Sequence, residues 1–411
     1  MRLNGLASVL AAVGIFSTAT SYAKELEVLH WWTSPSEAKS LNKLKVDLQK
    51  AGHAWKDGSI EGGSGVNADI ALKSRALGGN PPALVQMKGP KILNWARMNF
   101  VEDISAVATK DKWDDLIPEG IKKFHKFNGK YVAVPFNVHR VNWIWTNKGV
   151  FEKYGLKVPA TIDELVSAAE KLKKAGVKPF AHGGQPWQDA TFFEMVALGV
   201  GGGDFYRKAF VELDKKTIAG PVMLKTFETV RKLTPYLAAD RMGMDWDKAS
   251  KDVITGKAAM QLMGDWAKGE FLGAGKKVDV DFQCVAFPGT QNLNLFVTDS
   301  LVFFKVKKQN VKDAQEKAAS LILGKEFQTT FNLSKGSIPA RSDIALDGFD
   351  KCAQESSVAA GKALIPSMTH GMTNADAAAA IIDVMSKYFN SDMKPAEGQQ
   401  KLVKAVAELD I

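Results

Sequence analysis

Strand-like and helix-like segments take turns along this chain, and that alternation constrains its fold more than any other feature. Residues 26–30 (LEVLH) read as a first strand, and residues 36–51 carry Leu41, Leu44 and Leu48 on one helical face. Residues 83–87 follow Pro81-Pro82 as a short buried strand. Residues 130–135 are entered through the Asn128-Gly129 turn, and residues 141–145 alternate as a strand should. The clearest helix follows Thr161, which is set to form a capping box with Glu164 ahead of Leu165, Val166, Ala169 and Leu172. Gly176 sits where a left-handed C-cap belongs. Residues 178–181, 258–263, 282–287 and 300–306 read as further strands. The pattern predicts an α/β protein with largely parallel sheets. At 411 residues the chain is too long for one open sheet. Two α/β lobes with a ligand cleft between them are the natural solution.

Arg2, the apolar run from Leu6 to Phe16, and Ser21-Tyr22-Ala23 form a secretory leader, too short in its apolar core to span a bilayer. Cleavage after Ala23 is expected, with no cysteine there to carry a lipid; a buried N-terminal helix is the competing reading. Export makes a Cys284–Cys352 disulfide chemically possible, and two free buried thiols fit the sequence as well. The formal charge of +9 is spread thinly, as in Lys43/Lys45 and residues 305–308. Such charge reads as solvated surface and argues against nucleic-acid binding.

Catalytic signatures are missing. No phosphate-cradling loop occurs, and Gly199-Val200-Gly201-Gly202-Gly203-Asp204 fails the dinucleotide fingerprint at its last position. The six histidines lack metal-ligand spacing, and Glu102-Asp103 reads as surface charge. No cofactor is expected.

What the chain does carry suits a polyol. Trp31-Trp32 lies just past the first strand's C-terminal end, where ligands sit in open α/β sheets. Neighbouring side chains on a strand cannot share a face, so at least one indole is expected to line a cleft. An indole packs flat on the C–H face of a pyranose, and the hydroxyl rim needs charged partners in the plane. Glu37 is within reach of such a rim, although a helix-dipole glutamate is the plainer reading. Lys88, with Gln86 on the same side, ends another strand. Trp266 follows a strand and a glycine, and Asp299, Lys335 and His370 fall in or beside loops. Trp32→Ala and Asp299→Ala are each expected to abolish binding and leave the fold intact.

Residues 128–137 (NGKYVAVPFN), Thr146-Asn147-Lys148 with residues 151–156, residues 159–165 (PATIDEL), residues 256–260 (GKAAM) and Gly264-Asp265-Trp266 occur in this order. That series resembles the family 1 extracellular solute-binding proteins of ABC importers. The Trp31-Trp32…Glu37 opening and Lys88 resemble its glucose/mannose-binding branch. The resemblance implies a periplasmic, monomeric protein of the two-lobed type II periplasmic-binding-protein fold, with three hinge crossings. The lobes would be residues 24–137 plus 297–340 and residues 138–296 plus 341–411. Such a protein closes on a sugar, here glucose or a close aldohexose, and docks on membrane permease subunits. By the same similarity Trp31, Trp32, Glu37, Lys88, Trp187, Trp266, Asp299, Lys335 and His370 would hold the sugar. Competing readings are a binder of a disaccharide or phosphorylated polyol, with Lys88 and Lys335 on the phosphate. A secreted glycoside-acting enzyme with Glu37 and Asp299 as its carboxylates, or a two-domain interaction protein, would also fit.

Overall fold

A computed structural model describes residues 24–409; the leader expected over residues 1–23 lies outside the described residues. In chain order the strands are β1 (Lys24–His30), β2 (His53–Ser59), β3 (Leu84–Met87), β4 (Lys126–Phe127), β5 (Lys130–Tyr131), β6 (Ala133–Pro135), β7 (Asn137–Arg140), β8 (Trp143–Asn147), β9 (Lys178–Ala181), β10 (Ala258–Leu262), β11 (Phe282–Ala286), β12 (Asn294–Val297), β13 (Ser300–Phe303), β14 (Ile338–Pro339) and β15 (Leu364–Pro366). They form a sheet ordered β2-β1-β3-β13-β6, a second ordered β11-β8-β10-β9, and a third ordered β14-β7-β12-β15. β4 and β5 make a separate hairpin.

Helices cover the first two sheets, giving two α/β lobes. The helix Pro35–Lys50 buries Leu41, Leu44 and Leu48 and opens on a capping box between Ser34 and Glu37. The helix Ile162–Lys174 has the expected box, with Glu164 N–H donating to Thr161 Oγ1 at 3.1 Å. Gly176 takes φ +74, a left-handed conformation that a residue with a Cβ adopts only at a cost.

The sheets are mixed, not largely parallel. β1 runs parallel to β2 and β3, but β13 lies antiparallel between β3 and β6. β8 is antiparallel to both β10 and β11. The cause is the third sheet. The chain leaves the first sheet along β6, runs through β7, and enters the second along β8; it returns through β12 into β13. A strand arriving from the other lobe enters its sheet from the opposite end, and an apolar pattern says nothing about direction. Residues 130–135 split at Val132 into β5 and β6, the strand expected at 141 begins at Trp143, and the one expected to reach 306 stops at Phe303.

A disulfide joins Cys284 in β11 to Cys352 in the helix Lys351–Lys362, which settles the choice left open above. The glycine run from Gly199 falls inside the helix Pro186–Tyr206, which kinks at Gly202. Among the described residues no helix is long and apolar enough to cross a membrane.

Candidate ligand-binding site

The structure brings Trp31, Trp32, Glu37, Lys88, Trp187, Trp266, Asp299, Lys335 and His370 to the wall of one cavity of about 140 Å³ between the lobes. Trp31 and Trp32 follow β1 without regular structure, so the alternation of a strand does not part them and both reach the wall. Trp31 donates its backbone N–H to Gln86 Oε1 at 3.0 Å, and the Lys88 ammonium stands 5.0 Å from its ring centroid. Gly65 makes room for it, since a Cβ there would fall 2.7 Å from the indole. Trp32 is only 2% exposed and meets Phe136 edge-on at 5.1 Å and Phe331 at 5.7 Å. It is wall and core at once, so Trp32→Ala will weaken the fold as well as remove a wall residue.

Asp299 occupies the step between β12 and β13, in the crossing from one lobe to the other. Its Oδ1 accepts from Gln86 Nε2 at 3.1 Å, and its Oδ2 from His139 Nε2 at 3.1 Å and Asn137 Nδ2 at 3.3 Å. Burial pushes its pKa up. The His139 hydrogen bond and the charges of Lys88 and Lys335 outweigh that and hold the carboxyl well below the usual range. His139 also bonds Asp265 through Nδ1. Burial opposes a charge on this ring, but the carboxylates of Asp265 and Asp299 on either side raise its pKa above the ordinary value. Each ring nitrogen thus faces a carboxylate oxygen, the setting that suits an imidazolium, with the Asn137 amide nitrogen also 2.9 Å from Nε2.

Lys335 ends the helix Lys325–Lys335 and reaches Glu37 Oε1 at 2.7 Å. Glu37 therefore caps its own helix, pairs Lys335 and lines the cavity together. Lys88 donates to Ser64 Oγ at 3.2 Å. Burial pulls its pKa down and Asp299 pulls it up.

The opposite wall is aromatic. Trp266 follows Asp265 at a helix start, with its ring 4.9 Å from His370 and 6.5 Å from Trp187. Burial and the nearby charges of Lys88 and His139 keep His370 neutral, its pKa well below the usual histidine value. Backbones meet where Gly89, at φ +54, faces Gly371: a Cβ on Gly89 would sit 2.2 Å from the Gly371 carbonyl oxygen.

His139, Ser64, Trp246 and Asp247 also line the cavity and went unrecognised in the sequence. For His139 a signal existed: Asn137 and His139 alternate with Phe136 and Val138, putting two polar groups on one face of a strand. Among the described residues no group of three or more acidic, histidine or cysteine side chains could hold a metal ion.

The raised pKa of His139 has a consequence for stability. Its contribution is complete below about pH 6.5, the unfolded value, and is lost as pH climbs through the higher folded value. Thermal midpoints will therefore fall as pH rises above about 6.5, and His139→Gln will flatten that slope. A slope identical in the two proteins would remove the imidazolium from the account.

The chain matches bacterial extracellular solute-binding proteins over residues 32–327, and it belongs to that family. A probable sugar-binding periplasmic protein of Rhizobium meliloti (strain 1021) is 42% identical over 412 residues, covering 99% of each chain. Another, from Brucella suis biovar 1 (strain 1330), is 42% identical over 409 residues, covering 98% of this chain and 97% of its own. A solved structure from work on xylan utilization by Caldanaerobius polysaccharolyticus superimposes with TM-score 0.80 at 20% identity, over 92% of this chain and 99% of that one. The solute receptor AcbH, described with an exclusive preference for β-D-galactopyranose, gives TM-score 0.78 at 18% identity, over 92% and 97%. At such identities these structures speak to the fold, which is the two-lobed periplasmic-binding-protein fold. The relatives and fold neighbours are solute-binding proteins, not enzymes.

Proposed function

We propose that this protein is the periplasmic sugar-binding component of an ABC importer, and that it captures glucose or a close aldohexose without chemistry. One observation carries the reading: five indoles and ten charged or imidazole side chains converge on one small cavity between two lobes. Indoles suit the C–H face of a pyranose, and the charged groups suit its hydroxyls. The names of the relatives support a periplasmic sugar binder. Lys335 is already paired with Glu37, and Lys88 acts on Asp299, which disfavours a phosphate.

In this reading the leader is removed after Ala23, and the exported monomer comprises lobes of residues 24–137 plus 297–340 and 138–296 plus 341–411. Sugar contacts with both lobes favour the closed form, because a ligand shifts an equilibrium only through differential affinity. The closed form then docks on the permease. Titration calorimetry with D-glucose, D-mannose, D-galactose, maltose and glycerol 3-phosphate tests it. One exothermic site for a hexose is expected, with Kd at or below about 1 μM, equivalent to about −8 kcal/mol. Heat from maltose or glycerol phosphate alone, or from none of the five, defeats the proposal.

A further inference from the structure

Trp187, Thr191 and Glu194 stand at i, i+4 and i+7 on the helix Pro186–Tyr206, so one helical face carries all three. Trp187 lines the cavity. Thr191 Oγ1 lies 3.1 Å from His370 Nε2. Glu194, 0% exposed, sits behind the turn that bears His370. Its carboxylate accepts from Ser367 Oγ at 2.7 Å, Tyr206 OH at 2.7 Å and the Thr369 N–H at 3.3 Å. Ser367 Oγ in turn accepts the His370 N–H at 3.2 Å, and Tyr206 OH accepts the Met368 N–H at 3.0 Å. The backbone amides of residues 368, 369 and 370 thus end on one carboxylate, directly or through one hydroxyl.

The same helix sets the imidazole. Thr191 donates its hydroxyl proton to the Trp187 carbonyl at 2.7 Å, leaving only lone pairs for His370. His370 Nε2 must then carry the ring proton, and Nδ1 is an acceptor. A carboxylate taken out of water is costly unless donors surround it. Burial pushes Glu194 up to about 7 even against the donors of Tyr206, Ser367 and Thr369.

We propose that Glu194 is a positioning residue for ligand capture: it fixes the 367–370 turn, so that His370 presents the acceptor Nδ1 to a sugar hydroxyl. The inference rests on the reading of His370 as a sugar contact. Glutamine at this position keeps the shape but sets an amide donor against a donor, and the turn loosens.

Two measurements test it. Calorimetry with D-glucose on wild type, Glu194→Gln, His370→Ala and the double variant forms a cycle. Glu194→Gln should weaken binding about tenfold, the loss expected for one broken hydrogen-bond network. His370→Ala should weaken it more, and the double variant should match His370→Ala within about twofold. Tyr206→Phe, which keeps the ring's packing, should show a smaller loss that also vanishes in the His370→Ala background. The second measurement needs no sugar. Imidazole ¹⁵N shifts of His370 should report one Nε2-protonated tautomer in wild type and a mixture in Glu194→Gln. Additive losses, or a Glu194→Gln protein with wild-type affinity and ring shifts, would overturn the assignment. Should wild type bind no hexose, the functional reading fails by itself. The ring shifts then decide alone: unchanged shifts overturn the positioning role, and mixed ones sustain it.

Discussion

Asp299→Asn will weaken hexose binding by about a thousandfold or more. A carboxylate–hydroxyl hydrogen bond contributes about 1.5–3 kcal/mol, and the disturbed neighbours supply the rest of the roughly 4 kcal/mol that a thousandfold represents. The substitution also disturbs the neighbours. Asp299 receives Gln86, Asn137 and His139 as donors, and an asparagine turns one acceptor into a competing donor. His139 is left with Asp265 as its remaining anionic partner. Because the Asp299 pKa is depressed, its stabilising effect is present above about pH 3.9 and lost as pH falls through the folded value. The variant should therefore show less loss of stability on acidification than wild type. Calorimetry giving an affinity within tenfold of wild type would remove Asp299 from the sugar's partners.

Trp32→Ala will destabilise the protein by about 3–5 kcal/mol, the range for truncating a buried aromatic. The indole is enclosed by Phe136 and Phe331, and the void cannot close without moving the helix that holds Phe331. Trp31→Ala is the control. Trp31 is half-buried and held through its backbone amide and Lys88, so its loss should cost well under half as much. Urea melts of the two variants separate these outcomes. If Trp32→Ala unfolds at the wild-type midpoint, the aromatic cluster is not structural. Binding by Trp31→Ala then isolates what stacking on a tryptophan contributes, without the complication of a weakened lobe.

The elements legible in the sequence are those that close on local chemistry. The Thr161–Glu164 box, the Leu41/Leu44/Leu48 stripe and the Gly176 cap each involve residues within a turn or two. Strand direction was not legible, because Leu301 pairs antiparallel with both Gln86 and Val134 only after the chain has crossed lobes. The cavity residues stood out as aromatic or charged residues at strand ends, where a core offers no use for them. His139, Asp265 and Glu194 did not stand out. Each is a buried polar group whose partners lie far off in sequence: His139 with Asp299 and Asp265, Glu194 with Ser367. Strand alternation marks His139 as a polar residue on one face, but only the assembled fold reveals its carboxylate partners.

The place of β13 inside the first sheet, between β3 and β6, bears on how the protein folds. Until Ser300–Phe303 has been made, β6 has no neighbour in that sheet and β3 is an open edge. A nascent chain that has finished the whole second sheet therefore still cannot finish the first. Loop closure over such a span is slow, and an unclosed edge is a site for mispairing. The second sheet can thus form as a unit while the first waits for a strand from the far side of the crossing.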